Sequence, residues 1–168
     1  NDTSSATIYY LTGGTWTASD KTNDTASKRT RFSTFVDYAF RVNGADVVAT
    51  SANGANWGTT NAPITIIPAY TAVFQDRVYV ANGVTSNRSR FWFSSLPNAG
   101  AITWDLTNGW VDVNPDDGDE ITALENNGNR LLIFKSKSLY RWVFGAVEPD
   151  RLIGVGTVSQ ESVKTNFD

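Results

Sequence analysis

The sequence contains no cysteine, no histidine and no methionine among its 168 residues. Without cysteine the chain cannot form disulfides or offer a thiolate nucleophile, and without histidine it cannot build a Ser-His-Asp triad or use imidazole as a metal ligand. Zinc, haem and most transition-metal sites are therefore nearly excluded. Since Asn1 is not a translation start, we expect either a processed product or a piece of a longer polypeptide, and we favour the piece.

Strong charge and long apolar runs are also missing. Charged residues make up 18% of the chain, the formal net charge is -3, and Lys and Arg are scattered along the sequence. No stretch approaches the roughly 18 apolar residues that cross a bilayer, and none has the order of a secretory signal. We expect no membrane partner, and nucleic acid at most by proximity, because a basic stripe that would hold phosphates is lacking.

Two ten-residue segments match each other at an offset of 39 residues. Residues 35–44 (FVDYAFRVNG) and 74–83 (FQDRVYVANG) share Phe, Asp, an aromatic residue, Asn and Gly at the same places, and residues 129–136 form a looser third copy. Repeats of this length are typical of propeller blades or solenoid units. The sequence therefore predicts a repeated structural unit.

The apolar pattern within each copy has a period of two, as in residues 77–80 and 90–93. Such alternation of β-branched and aromatic residues predicts strands, and no helix longer than a turn is predicted. The Asn-Gly pairs at 43–44 and 82–83 are expected to supply the positive φ angles of tight hairpins.

One tryptophan follows a glycine-containing turn in each unit, at Trp16, Trp57 and Trp104. We expect each of these indoles to be buried between neighbouring sheets.

These patterns predict an all-β chain that forms part of a β-propeller, with about three and a half four-stranded blades and the rest of the ring elsewhere. The predicted units are 7–18 for the end of one blade, 31–60, 64–105, 111–144 for the start of the next, and 145–168 as a tail or linking strand. A β-sandwich is the alternative, because spaced short strands serve both folds. The internal match at 39 residues favours the ring.

Several motifs carry a resemblance to a known group of proteins. RTRFSTFVDYAFRVNG, FQDRVYVANG, RFWFSSLP, DVNPDDGDEITAL and LLIFKSKSLYRW occur in this order between residues 29 and 142. In this respect the chain resembles propeller-type structural proteins of tailed bacteriophages, which are tail-associated or stabilise packaged DNA. The resemblance implies a virion protein of the tail region that docks in multiple copies to portal or tail components. It also implies no enzymatic activity and no cofactor.

A second resemblance concerns two turns. Residues 51–57 (SANGANW) and 95–104 (SLPNAGAITW) resemble degenerate Asp-box hairpins of sialidase-like propellers, with Asn53 and Asn98 where the Asp would stand. That hairpin is structural even in its own group, so it bears on the fold more than on activity. The alternative function is a glycan-binding or sialidase-like glycan-cleaving propeller.

The acidic run DVNPDDGDE, residues 112–120, is the best candidate site. Its carboxylates and amide are hard oxygen ligands of the kind that calcium prefers. The run fails the spacing of a helix-loop-helix calcium loop, because Gly118 falls one place late and Ala123 stands where the bidentate Glu should be. Two interpretations stay open: a surface turn capped by Asp side chains, or a calcium site whose candidate ligands are Asp112, Asn114, Asp116, Asp117 and Asp119.

Carboxylates and aromatic residues supply the other candidates. Asp37 and Asp76 occupy equivalent places in the repeat, which favours a turn or strand-entry role over an acid-base pair. Exposed indoles could stack on sugars or contact a partner protein, and the candidates for such contacts are Trp92, Trp110 and Trp142.

Overall fold

The structure, a computed structural model, describes residues 5–21, 24–25, 28–63, 65–83, 87–143 and 146–150. Within these residues the chain is all-β, as predicted, and its helical structure is limited to one 3₁₀ turn, Pro115–Asp117. No helix of the described part has the length and apolarity needed to span a membrane. The strands are β1 (Ser5–Ala6), β2 (Tyr9–Thr12), β3 (Thr15–Ala18), β4 (Asp24–Thr25), β5 (Arg31–Phe35), β6 (Tyr38–Val42), β7 (Ala49–Ser51), β8 (Pro68–Phe74), β9 (Arg77–Gly83), β10 (Asn87–Phe93), β11 (Trp110–Asp112), β12 (Ile121–Asn126), β13 (Leu131–Lys135), β14 (Leu139–Val143) and β15 (Ala146–Asp150).

The strands form five sheets in the described part of the chain, and every pairing is antiparallel. Strands β2 and β3 form the N-terminal hairpin, and β1 pairs with β4. Strands β5–β7 form sheet A, β8–β11 form sheet B, and β12–β15 form sheet C. In sheets A, B and C the spatial order follows the chain order, so each is a meander of consecutive hairpins.

The repeat of 39 residues encodes a strand, a two-residue turn and a second strand. In sheet B, Phe74 pairs with Arg77, which leaves Gln75 and Asp76 as the turn with φ of 44° and 53°. The corresponding turn of sheet A holds Val36 and Asp37, with φ of 48° and 61°. Two consecutive positive φ angles define the tight turn whose twist matches that of the flanking strands. The prediction that Asp37 and Asp76 are turn residues is confirmed.

The Asn-Gly pairs do not form these hairpin turns, so that prediction is wrong. Asn43 follows β6, where its side-chain oxygen accepts hydrogen bonds from the amides of Ala45 and Asp46 at 3.0 and 2.8 Å. Asn82 lies inside β9 with φ of 53°, beside an irregularity in the pairing of β9 with β10. A positive φ angle is therefore used at both places, at Gly44 and at Asn82, but outside the hairpin loops.

The predicted boundary between the last two units is also wrong. Val111 lies in β11 and pairs with Phe91 of β10, so it belongs to sheet B and does not begin the next unit. Sheet C begins at Ile121 and extends to Asp150, which makes β15 its fourth strand rather than a linking segment. Residues 151–168, which the prediction assigned to a tail, lie outside the described residues.

Sheet B is buried on both faces. Successive residues of β9 alternate between two cores, with Val78 and Val80 on one side and Tyr79 and Ala81 on the other. The first core joins sheet A to sheet B and contains Phe40, Val42, Val48, Ile66, Val78, Val80, Trp92 and Ile102. The second joins sheet B to sheet C and contains Ala72, Phe74, Tyr79, Ala81, Phe91, Val113, Ile121, Leu124, Leu131, Ile133 and Trp142.

The burial predicted for the three post-turn tryptophans holds only in part. Trp104 and Trp57 are half-buried, and their indole nitrogens donate to Asn61 O at 2.8 Å and Gly54 O at 2.9 Å. Trp16 is 69% exposed, so the prediction is wrong there. The reason is that Trp16 lies on the outward face of a two-stranded hairpin rather than between two sheets.

The turn of the second repeat generates a testable prediction. Replacing the exposed Gln75 with Gly removes a Cβ from a position with φ of 44°. We expect the free energy of unfolding to rise by about 0.5–1 kcal/mol, because left-handed backbone is costly for residues with a Cβ. Urea denaturation measures the change, and Gln75→Ala, which keeps the Cβ, is the control. A Gly variant less stable than the Ala variant would contradict the assigned turn.

Candidate functional site

The acidic loop, residues 112–120, is folded around a lysine ammonium group. Lys135 ends β13 and is fully buried, and its Nζ lies 2.6 and 2.7 Å from the two carboxylate oxygens of Asp117. The same Nζ donates to the backbone oxygens of Val113 and Asn114 at 2.9 and 3.1 Å. The pairing of Ile121 with Lys135 places this side chain where the loop enters sheet C. A protein cation therefore occupies the centre of the loop.

The loop keeps this shape through two left-handed corners. Asn114 and Gly118 flank the 3₁₀ turn with φ of 45° and 67°. The Asn114 side-chain amide donates to Asp117 and to the hydroxyl of Tyr140, both at 3.1 Å. These contacts aim the carboxylate of Asp117 and two backbone carbonyls at one point.

The electrostatics of Asp117 follow from this geometry. Burial alone would raise the pKa of its carboxyl, but the hydrogen bonds from Lys135 and from the Asp119 amide outweigh it, so the pKa is lowered. A carboxyl with a lowered pKa stabilises the folded state above its unfolded pKa, and that contribution is lost as the pH falls through the folded value. The stabilisation by this pair is therefore present above about pH 4 and is lost in more acid solution.

Two other acidic residues of the loop bind elsewhere. Asp119 is buried and accepts hydrogen bonds from the amides of Ser136 and Lys137, both at 2.9 Å, which fixes the turn between β13 and β14. Asp112 forms a bidentate pair with Arg90 at 2.7 and 2.8 Å. The hydrogen bonds to Asp112 raise the pKa of Arg90, and its guanidinium lies 3.4 Å from the centre of the Trp110 ring.

The predicted calcium ligands therefore do not converge. Asp112, Asp117 and Asp119 have three different partners, Asn114 contributes its carbonyl to Lys135, and Asp116 is exposed on the 3₁₀ turn. In the described residues, no three carboxylates come together in a group that could hold a metal ion. The calcium site stays a prediction, and the geometry favours the other interpretation, a capped surface turn.

A polar groove of about 490 Å³ runs beside the acidic loop. It is lined by charges of both signs, and two ion pairs lie among them: Arg90 with Asp112, and Arg88 with Glu120 at 3.4 Å. The buried carboxylate of Asp119 is held by backbone amides. The three carboxylates of the groove therefore all have partners among the described residues.

A second charged cluster holds the N-terminal segment. Arg41 of β6 is fully buried and forms ion pairs with Asp24 and, at 3.8 Å, with Asp46. Asp46 in turn accepts hydrogen bonds from the amide and hydroxyl of Thr25 at 2.8 and 2.6 Å. Burial raises the pKa of Asp24 in spite of the opposing effect of Arg41, so Asp24 is protonated, and its ion pair is lost, at a higher pH than for an unperturbed carboxyl. The cluster attaches β4 to sheet A.

Two of the three indoles predicted as partner contacts are wrong choices. Trp92 and Trp142 are only 6% and 8% exposed, because β10 and β14 place them inside the two cores. Trp110 is half-buried, and its indole nitrogen donates to Thr107 O at 2.9 Å. A contact role for Trp110 stays a prediction.

Three of the exposed large apolar side chains lie together on the N-terminal hairpin. Tyr9 and Leu11 are each 58% exposed and Trp16 is 69% exposed. Leu11 pairs directly with Trp16 across the hairpin. Tyr9 precedes Leu11 by two residues, so it lies on the same face of β2. We call these three residues the apolar face. Period-two alternation in the sequence could have placed them on one face, but it does not tell whether another sheet covers that face.

Two loops of the structure have the side-chain hydrogen bonds expected of an Asp-box-like turn. One lies at the predicted residue, Asn53, and the other at Asp105, which was not predicted. Asn53 Oδ1 accepts from the amides of Ala55 and Asn56 at 2.9 and 3.0 Å. Asp105 Oδ1 accepts from the amides of Thr107 and Asn108 at 2.9 and 3.0 Å, and these bonds lower its pKa. In both loops a following indole donates to the carbonyl three residues before it.

The predicted second loop around Asn98 lacks this arrangement. Asn98 and Ala101 are joined by two backbone hydrogen bonds at 2.9 and 3.0 Å, with Ala99 and Gly100 at positive φ between them. That segment is a backbone hairpin, and Asp105 takes the role that the sequence assigned to Asn98.

The ammonium group at the centre of the acidic loop generates a stability prediction. Lys135→Met leaves the Asp117 carboxylate and two carbonyls without their cation, so we expect a loss of about 3 kcal/mol in the free energy of unfolding. The loss should shrink as the pH falls below about 4, where Asp117 becomes protonated. The matched control is Lys137→Met, which removes an exposed lysine two residues away. Equal stability of the two variants in urea would contradict the arrangement.

Calcium provides a second test of the same loop. Because Lys135 already supplies the positive charge, we expect millimolar calcium to leave the melting temperature unchanged relative to EDTA. Calorimetry in both buffers measures it. A rise on calcium addition that is lost in Asp117→Asn would restore the calcium interpretation.

Comparison with known proteins adds no family. No protein-family model matches the chain, and no curated protein sequence matches it. The features of this chain that bear on function are the apolar face, the paired charges and the arrangement of the sheets.

Proposed function

We propose that this protein is a non-enzymatic structural component of a phage virion, a propeller-type module of the tail region that binds neighbouring protein subunits. The observation that carries the proposal is the apolar face: Tyr9, Leu11 and Trp16 are each more than half exposed on one side of a hairpin. Contiguous apolar patches of this kind mark interaction sites on otherwise polar surfaces.

The radial arrangement of a propeller is supported by the contacts between first strands. Strand β8, the first of sheet B, lies between β5 and β12, the first strands of sheets A and C. In a propeller the first strands of successive blades surround a common axis. These contacts support an arrangement in which the first strand of each meander faces a common axis.

Hydrogen bonds between the sheets repeat along the chain in the same way. Ser33 Oγ and Thr71 Oγ1 are 2.8 Å apart and join β5 to β8. Asn126 Nδ2 donates to Val73 O at 2.8 Å and joins β12 to β8. Between adjacent sheets, the N–H of Gly44 donates to Pro68 O and the side chain of Asn82 donates to Ile121 O. In both cases the end of a second strand is joined to the start of the next sheet.

The charge distribution favours assembly over chemistry. The carboxylates of Asp112, Asp117, Asp119 and Glu120 bind Arg90, Lys135, backbone amides and Arg88 respectively, so they act as structural partners. A catalytic carboxylate needs a pKa and an open side suited to proton transfer. The lowered pKa of Asp117 keeps it ionised and bound to its lysine instead.

The proposal of a virion protein rests on the resemblance to phage propeller proteins. The proposal of a binding surface rests on the apolar face. We propose portal or tail proteins as partners and several copies in the particle. The apolar face has no charge of its own, which suits a protein partner and gives DNA phosphates nothing to bind. Proximity to DNA would then follow from position in the particle rather than from affinity.

A glycan-binding propeller is the second candidate, and a specific observation favours it. Trp16 and Tyr9 expose aromatic rings on a single face, and exposed aromatic rings stack on sugars as well as on proteins. The two functions use the same residues, so they have to be separated by the identity of the ligand.

Crosslinking in intact particles tests the assembly function. The backbone oxygen of Lys21 accepts a hydrogen bond from the amide of Ile8, so Lys21 lies at the base of the hairpin. In purified virions we expect crosslinks between Lys21 and a portal or tail protein. Particles made with Trp16→Ser should retain several-fold less of the protein, because a central aromatic anchor is lost. Phe32→Ser is the control, since Phe32 is 52% exposed on β5, outside the apolar face. Absence of the protein from purified particles would overturn the proposal.

A glycan array together with a fluorogenic sialoside assay tests the second candidate. The assembly function predicts no binding and no turnover. Binding that disappears in Trp16→Ser but persists in Phe32→Ser would instead establish the apolar face as a glycan platform.

A further inference from the structure

The chain contains five Asn-Gly dipeptides, and they are chemically vulnerable. The backbone nitrogen of the glycine can attack the Asn side-chain carbonyl carbon, because glycine has no Cβ to obstruct the approach. The dipeptides are Asn43-Gly44, Asn53-Gly54, Asn82-Gly83, Asn108-Gly109 and Asn127-Gly128. None of them forms a two-residue hairpin turn. The reactivity of each dipeptide therefore depends on its own hydrogen bonds and exposure.

In two of the five dipeptides, the glycine amide that would attack already donates a hydrogen bond within its own loop. The N–H of Gly54 donates to Ser51 Oγ at 2.8 Å, while Asn53 Oδ1 accepts two amides. The N–H of Gly109 donates to Asp105 O at 2.7 Å, and Gly109 is buried. In both loops the amide that would have to attack is already engaged.

Two more are held between sheets. The N–H of Gly44 donates to Pro68 O at 2.9 Å, and Asn43 is buried with its oxygen bonded to two amides. Asn82 donates to Ile121 O at 2.8 Å, and Gly83 is buried in β9, where it pairs with Pro68 and Asn87. Reaction at either place would require the sheets to separate locally.

Asn127-Gly128 differs from the other four. It lies at the tip of the loop between β12 and β13, and both residues are exposed. The loop is closed by backbone bonds from Asn127 N to Arg130 O at 2.9 Å and from Asn129 N to Asn127 O at 2.7 Å. Within the described residues, these bonds leave the Gly128 amide and the Asn127 carboxamide without a hydrogen-bond partner. Both reacting groups therefore face water.

We propose that Asn127 is the site of a spontaneous covalent modification, deamidation to aspartate and isoaspartate. The Gly128 nitrogen forms a bond to the Asn127 Cγ, the Cγ–Nδ2 bond breaks, and ammonia leaves with the proton released by the amide. The resulting succinimide adds one water, which opens either carbonyl to give a carboxylate. Ammonia and water are the only other species in the balance, so no oxidant, cofactor or enzyme is required.

The modification changes the surface of sheet C without breaking its core. Each event adds one negative charge to a chain whose formal net charge is -3. The isoaspartate product also lengthens the backbone by one methylene, one residue after Asn126, whose side chain joins β12 to β8. The loop tip would thus record the age of the folded protein, independently of the proposed assembly function.

Peptide mapping by mass spectrometry tests the proposal on the whole folded chain. After incubation in warm, mildly alkaline buffer, we expect deamidation at Asn127 to exceed that at each of the other four sites by at least about tenfold. A tenfold difference corresponds to a local opening free energy of about 1.4 kcal/mol at the protected sites. Labelling by an isoaspartyl methyltransferase should be confined to the peptide that contains Asn127.

Two controls separate structure from sequence. In urea all five sites should react at similar rates, because the same dipeptide is then equally exposed. Asn127→Gln should abolish most of the methyltransferase labelling of the folded protein. Faster reaction in the folded chain at any of the other four sites, or equal rates at all five, would overturn the proposal.

Discussion

The burial of sheet B on both faces is the constraint on which the rest of the structure depends. Each strand of that sheet must supply apolar side chains to two cores at once, so β9 reads Val-Tyr-Val-Ala without a polar interruption. Fully burying one such large apolar side chain is worth about 1.5–3 kcal/mol. Sheets A and C pack against opposite faces of sheet B. Their positions follow from the alternation of its side chains between these two faces.

Buried charged side chains join separate segments of this arrangement. Lys135 binds two carbonyls and a carboxylate at the edge of sheet C, and Arg41 forms ion pairs with Asp24 of β4 and with Asp46 in the loop after β6. A buried charge is tolerated only when its partners compensate for lost hydration. The acidic loop is thus better understood as a neutralised structural loop than as an open ligand site. The apolar face is the surface that we propose for binding.

The sequence predicted the repeat and the turn role of Asp37 and Asp76, but it placed the hairpin turns wrongly, at the Asn-Gly pairs. The two-residue turns at 36–37 and 75–76 follow from a local pattern, and local patterns are visible in one sequence. Lys135 could not be recognised, because its role depends on a loop that lies about twenty residues earlier and meets it only through β12–β13 pairing. Trp16 is exposed because no sheet of the described residues covers it, and an alternation pattern does not encode this.

The fate of the Asn-Gly pairs shows the same limit. Each pair permits a positive φ angle, but the hairpins use Val36, Asp37, Gln75 and Asp76 instead, and the Asn side chains cap loops or join sheets. Likewise, Asp105 rather than Asn98 forms the second Asx-type loop, because the side chain of Asp105 accepts a backbone amide whereas Asn98 is bonded through its backbone to Ala101. Local propensity therefore identifies candidate turn residues, and the hydrogen bonds formed in the fold determine which of them are used.

The proposed radial arrangement can be tested by distance measurement between spin labels, and the absence of cysteine makes single-site labelling clean. One pair of labels at Asp37 and Gln75 reports on the first strands of sheets A and B, and a second pair at Ala52 and Leu106 reports on their outer strands at the same end. If the sheets diverge from a common axis, the outer pair will be clearly farther apart than the inner pair. Equal separations would mean parallel layers, as in a sandwich, and would contradict the propeller.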